Sequence, residues 1–149
     1  MRKIVVVDID GTIADCSKRA NKYLRKGKED WDKFYDACDK DKPIKDILEL
    51  VNVLSQHYEI VYCTGRKQST TKKTLTWLWK NADVSSYHIL FRRNSDTRHD
   101  TLVKPKLLAD FLKRNPEFEV FLILEDRDSM VEKWRELGYR CLQVAPGNF

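Results

Sequence analysis

Glycine is scarce in this chain, with five among 149 residues. The phosphate-cradling loop G-x-x-x-x-G-K-[ST] is absent, so residues 1–149 hold no kinase of the P-loop kind. Proline numbers only four, and no Pro/Gly-rich stretch, repeat or low-complexity tract divides the chain, which reads as a single domain over 1–149. Cys16, Cys38, Cys63 and Cys141 are scattered without a C-x-x-C pair. That spacing excludes a zinc ribbon and argues against a disulfide frame; reduced thiols of a cytoplasmic protein are the expectation. No long uncharged apolar run is present, so no membrane span is expected, and Asp8 and Asp10 interrupt the first apolar stretch where a secretory leader would need continuity. Hydrophobic residues make up 42%, too many for a disordered tail. A chain of this length buries about 70% of its unfolded surface, enough for one core without staples.

What is abundant is charge. Charged residues are 34% of the chain and the formal net charge is +5. The excess is uneven. Residues 51–100 carry 8 basic and 4 acidic side chains, whereas 1–50 carry 12 and 11 and 101–149 carry 8 and 8. Within the first third, Lys18, Arg19, Lys22, Arg25, Lys26 and Lys28 run without an acid, and Glu29, Asp30, Asp32, Asp36, Asp39 and Asp41 follow. Such runs are usually solvated helix faces. The basic ones, at 18–28 and 66–98, are also where a polyanion would approach.

Hydrophobic periodicity gives an alternation. Residues 4–7 form a continuous β-branched run, as in a strand buried on both faces. Short helices are expected over 17–26 and 30–38, and Pro43 is expected to open a stronger one with Ile44, Ile47, Leu48, Val51 and Leu54 on one face. Strands are expected at 60–63, 89–91, 120–124 and 140–144. Helices are expected at 69–81, from about 104 to 114, and ending before Gly138. Strands alternating with helices predict an α/β fold, a Rossmann-like three-layer parallel sheet with ligands at the carboxyl ends of its strands. Trp31, Phe34 and Tyr35, spaced i, i+3, i+4, could stack a terminal base, but such a cluster is more often the buried face of a helix, and that is the expectation; only one of Trp77 and Trp79 can face the core.

The strand ends carry the chemistry. Asp8-Ile9-Asp10-Gly11-Thr12 follows the first strand. Two carboxylates at i, i+2 before a glycine can present a carboxylate and a backbone carbonyl to one hard cation such as Mg2+, although the pattern also suits a turn. Thr64-Gly65-Arg66 follows the second strand; a hydroxyl, a flexible residue and a guanidinium suit a phosphate, although Thr64 could equally cap a helix. Glu125-Asp126 follows the fourth strand, where acids against an apolar run need a compensating charge. Lys104 opens the intervening helix.

The order Asp8/Asp10, Thr64, Lys104, Glu125/Asp126 resembles the four motifs of the haloacid dehalogenase superfamily of phosphohydrolases. The resemblance implies that Asp8 is the nucleophile, forming an aspartyl-phosphate, and that Asp10 is first general acid and then general base. The acid role needs a raised pKa. Thr64 would hydrogen-bond a phosphoryl oxygen, and Lys104 would neutralise charge between Asp8 and the phosphate. Mg2+ would be held by the Asp8 side chain, the Asp10 carbonyl and Asp126, with Glu125 beside it, in contact with the ion either directly or through water. Residues 13–43 fall where this superfamily carries cap insertions, and a small helical cap is expected there.

The stretches Leu124–Arg127, Met130–Arg135, Gln143–Phe149 and Asp96–Asp100, followed by Val103-Lys104, further resemble the phosphatase half of the polynucleotide kinase/phosphatases of T-even phages. Trp31–Cys38 and Lys42-Pro43-Ile44 resemble related phage phosphatases. That group removes 3′-phosphates, including 2′,3′-cyclic ones, from nucleic-acid ends in end repair. By position, Arg19 and Arg66 would contact substrate phosphates with Gly65 beside them, and Asp100 would orient Lys104. A partner kinase or ligase is expected on a separate chain, the chain itself as a monomer, and its location as cytoplasmic (the host cytoplasm if phage-encoded). A 5′(3′)-nucleotidase shares the four motifs and stays open as an alternative. A non-catalytic nucleic-acid-binding module is the remaining one.

Overall fold

A computed structural model describes residues 1–149. The chain runs β1 (Arg2–Val7), β2 (Ala14–Asp15), α1 (Ser17–Tyr23), α2 (Trp31–Asp36), β3 (Lys42–Pro43), α3 (Lys45–Ser55) and β4 (Glu59–Lys67). It continues α4 (Thr71–Asn81), β5 (Tyr87–Arg92), α5 (Asp100–Arg114), β6 (Phe118–Glu125), α6 (Asp128–Glu136) and β7 (Cys141–Gln143). Five strands form a parallel sheet in the order β5-β4-β1-β6-β7. The chain winds outward from β1 through β4 to β5, then crosses to β6 and β7. Between β1 and β6 the direction reverses, and such a reversal opens a crevice at the strands' carboxyl ends.

The β-branched run of β1 explains its central place. Ile4 and Val6 face a core completed by Leu108 and Phe111 of α5 and Met130, Val131 and Trp134 of α6. Val5 and Val7 face the opposite layer, with Leu48 and Val51 of α3 and Trp77 and Leu78 of α4. Both faces of the strand are dry, so both alternating sets are apolar. Val7 pairs with Tyr62 on one side and Leu124 on the other, which brings Asp8 and the ends of β4 and β6 to one edge.

The short strands β2 and β3 pair antiparallel, Ala14 with Pro43 and Asp15 with Lys42. They close a stalk beneath a helical insertion that holds α1, α2 and a 3-10 turn at Cys38–Lys40. Asp30 caps α2, its side chain accepting from the Lys33 N–H at 3.1 Å.

Several boundaries differ from the sequence expectation. Pro43 does not open a helix. It sits in β3, where a residue without an N–H is tolerated at a sheet edge, and α3 begins at Lys45. Strand β4 runs through Thr64, Gly65 and Arg66 to Lys67, because the polar triplet is itself buried or half-buried among partners. Helix α5 starts at Asp100, with the His99 ring accepting from the Thr101 N–H, so Lys104 lies in its second turn. Trp77 is 2% exposed and Trp79 85%, as their spacing requires. Of the expected buried face on α2 only Phe34 is in the core; Trp31 is 50% exposed and Tyr35 half-buried.

Candidate active site

Asp8 emerges buried from β1, level with the end of β6. Its Oδ1 accepts from Lys104 Nζ at 2.6 Å and its Oδ2 from Thr12 Oγ1 at 3.0 Å. Lys104 reaches in from α5 and also donates to Glu125 Oε2 at 3.0 Å. Asp126 Oδ1 lies 3.3 Å from the same Thr12 hydroxyl. Gly11 makes this crowding possible. Its φ is +84°, and a Cβ there would stand 2.0 Å from Asp126 Oδ2, so both backbone hand and space demand glycine. Gly147 plays the matching part on the other side, where a Cβ would stand 2.0 Å from the Asp126 carbonyl oxygen.

The electrostatics are unbalanced. Carboxylate oxygens of Asp8, Glu125 and Asp126 lie within 4.8 Å of one another, all buried, with one lysine among them. Burial, then the Glu125 charge, push the Asp8 carboxyl up to about 8 despite Lys104. Burial and Asp8 push Asp126 up to about 7, and burial raises Glu125. Burial works against the Lys104 charge, but Asp8 and Glu125 outweigh it and hold the ammonium protonated. Three oxygen donors with uncompensated charge fit a hard divalent cation.

Asp10 behaves differently. Its Oδ1 accepts from Arg19 Nη2 at 2.6 Å and from Arg66 Nη2 at 2.7 Å and Nε at 3.0 Å. Burial alone would raise its pKa, yet Arg66 and Arg19 outweigh burial and hold it below the ordinary carboxylate range. The expected rise is therefore reversed in this arrangement. Both arginines also bind Asp41, Arg19 Nη2 at 2.8 Å and Arg66 Nη2 at 3.3 Å, so the insertion and β4 share one buried ion cluster.

A cavity of about 530 Å3 opens above these groups. Asp8, Asp10, Gly65, Asp100, Lys104, Glu125 and Asp126 reach its wall; Arg19, Thr64 and Arg66 do not. The two arginines, expected on substrate, are spent on Asp10 and Asp41. Thr64 is fully buried and its Oγ1 accepts from the Arg66 N–H at 3.1 Å. Asp100 does not hydrogen-bond Lys104. Its carboxylate pairs with Arg92 and, at 3.3 Å, with Arg127.

Thr12, Asp41, Arg92 and Arg127 are site residues that the motif pattern leaves unassigned. Arg92 is buried and donates to the Gly65 carbonyl at 2.9 Å and to the carbonyls of Asp96 and Arg98, which holds the 93–99 loop as one wall of the cavity. Arg19, Arg66 and Arg92 are turned inward, so these three do not contribute to the basic surface that the residue count suggests.

Comparison with known proteins agrees with this geometry. Residues 2–149 match the family described as the polynucleotide kinase PNKP phosphatase domain. A protein of Autographa californica nuclear polyhedrosis virus, named for a bifunctional polynucleotide kinase/RNA ligase, is 27% identical over an alignment of 140 positions that covers 91% of this chain and 18% of the viral one. A chain in the structure of a Pnkp1/Rnl/Hen1 complex superposes with a TM-score of 0.78 at 25% identity, over all of this chain and 48% of that one. A haloacid dehalogenase-like hydrolase of Streptococcus pneumoniae shares the fold with a TM-score of 0.63 at 14% identity, over 95% of this chain and 84% of its own. This chain thus spans less than half of the viral relative and of the complex's chain. No helix is long and apolar enough to cross a membrane.

Proposed function

Because this chain belongs to the polynucleotide kinase phosphatase-domain family of the haloacid dehalogenase superfamily, and is a phosphatase, we propose that it removes 3′-phosphates from nucleic-acid ends by way of an aspartyl-phosphate on Asp8. The observation that carries the reading is the setting of Asp8. It is a buried acid in the cavity wall at the end of β1, with one oxygen held by Lys104 and the other by Thr12, and as nucleophile it would attack phosphorus in line. Its oxygen bonds to phosphorus as the sugar 3′-oxygen leaves, and Lys104 lowers the repulsion between carboxylate and phosphate. Asp10, ionised between its arginines, is the base that takes a proton from water in the second step. Protonating the leaving oxygen requires Asp10 to gain a proton, hence a loosened arginine grip. An entering phosphate dianion is the group suited to draw a guanidinium away.

Asp8, Glu125 and Asp126, with the Asp10 carbonyl, would hold Mg2+, and the ion when bound supplies positive charge for the phosphoryl oxygens. Residues 13–43 act as a cap that leaves the cleft open to a polymer end. The relatives' names point to RNA ends and to a kinase or ligase acting beside this chain.

The cation assignment predicts a pH effect. Asp8 at about 8 and Asp126 at about 7 keep protons that unfolded carboxylates near 3.8 have released. Between those values the folded state binds more protons than the unfolded, so metal-free stability falls as pH rises. The Tm without metal should drop from about pH 5 to about pH 8, and Mg2+ should raise it most at the upper end. A Mg2+ increment independent of pH would remove the acid cluster as the ion's site.

The substrate is tested by comparing a 3′-phosphorylated oligonucleotide with a 3′-mononucleotide across a salt series. Polymer turnover should be the more efficient and should weaken as salt rises. Better cleavage of the mononucleotide, with no salt effect, makes the chain a nucleotidase.

A further inference from the structure

Helix α2 presents two aromatic rings that the core does not use. Trp31 is half exposed at the cavity wall, beside Tyr35, with ring centroids 6.0 Å apart and planes 34° apart. Neither ring is loose. Phe34 meets the indole edge-to-face at 5.6 Å, and the Arg19 guanidinium lies over Phe34 at 4.2 Å. The contacts Trp31–Phe34–Arg19–Asp10 thus run from the cavity's mouth to its floor. Lys67 Nζ sits 5.7 Å from the Tyr35 ring and lines the same cavity. Arg98 and Arg127 line it from the 93–99 loop and the turn after β6.

An indole braced from behind and open in front, within reach of cations at the mouth of a phosphatase cleft, matches the two faces of a nucleotide. We propose that Trp31 and Tyr35 stack the 3′-terminal base of an unpaired strand, while Lys67, Arg98 and Arg127 take the phosphodiester that precedes it. Every base has a π-face, so such a wall binds without sequence preference. An unpaired terminal base can turn onto this wall without breaking a base pair, so a single-stranded end is the expected preference. This inference rests on the polynucleotide reading above.

The test uses two single-stranded oligonucleotides with 3′-phosphates, identical except that the last residue carries thymine in one and is a reduced abasic residue in the other. The wild-type protein should show a KM about ten- to a hundredfold lower for the thymine end, the worth of one base–aromatic stack. Trp31→Ala should bring the two KM values together by raising the thymine one, with kcat moving far less. Trp31→Phe should restore most of the preference, and Tm measurements establish that both variants fold. Equal KM values for the two ends in the wild type, or a preference that survives Trp31→Ala, overturn the stacking wall while leaving the 3′-phosphatase reading in place. Turnover of neither oligonucleotide, with a small phosphate ester still cleaved, overturns the polynucleotide reading and the wall with it.

Discussion

Asp8→Asn is expected to lower phosphate release at least about a thousandfold while the protein stays folded and no less stable at neutral pH. The amide has the carboxylate's shape but lacks the electron-rich oxygen that bonds to phosphorus. No neighbour can replace it. Both arginines hold Asp10 by its Oδ1, Glu125 is engaged by Lys104, and Asp126 is packed against Gly11. The stability half follows from the same environment. The Asp8 carboxyl, pushed up to about 8, is a group whose ionisation the fold resists. Above the unfolded value of 3.8 it costs stability in the metal-free protein, and Asn removes that cost while its carbonyl still accepts from Lys104. A catalytically silent protein with an equal or higher metal-free Tm is the combined signature. Turnover above a tenth of wild type in a clean preparation would falsify Asp8 as the nucleophile.

The sheet was legible because residues 4–7 and 60–63 of its central strands are dry on both faces and its helices are amphipathic; these residues and 120–124 all fall inside observed strands. The acids after β1 and β6 were legible for the complementary reason, since a charge abutting an apolar strand must be compensated by something. Position along the chain could not show what each cation compensates. Arg19 and Arg66 have the residue type that phosphate wants, but two carboxylates, Asp10 and Asp41, already occupy them. Asp41 lies at the end of an acidic run and differs from its neighbours only in being buried, which no local pattern reveals. Arg92 likewise sits at the start of a polar loop whose carbonyls it gathers. Periodicity placed Trp31, Phe34 and Tyr35 on one helix face but could not distinguish a face against the core from a face against a cleft. On a six-residue helix above a stalk, it is both.

Arg66→Ala is expected to cost both stability and chemistry, and the two losses are separable. The side chain is fully buried in β4; it donates twice to Asp10, once to Thr74 Oγ1 at 3.1 Å and once to Asp41. Removing it leaves Asp10 and Asp41 sharing Arg19 alone, and breaking a buried pair in this way costs about 3–5 kcal/mol. For a domain near this size that is a fall in Tm of about 6–20 °C. Turnover at a temperature where the variant is folded should still fall by about a hundredfold, because Asp10 is no longer aimed. The pH–rate profile separates that role from a merely structural one. Arg66 is the leading favourable charge holding the Asp10 carboxyl down, so its loss raises the Asp10 pKa, and the acid limb of the profile moves to higher pH. Arg66→Lys should recover part of the Tm but little of the turnover. One ammonium cannot reproduce a fork that spans Asp10, Thr74 and Asp41. An acid limb that stays in place while Tm falls makes Arg66 a strut of the fold, and the setting of Asp10 then belongs to Arg19.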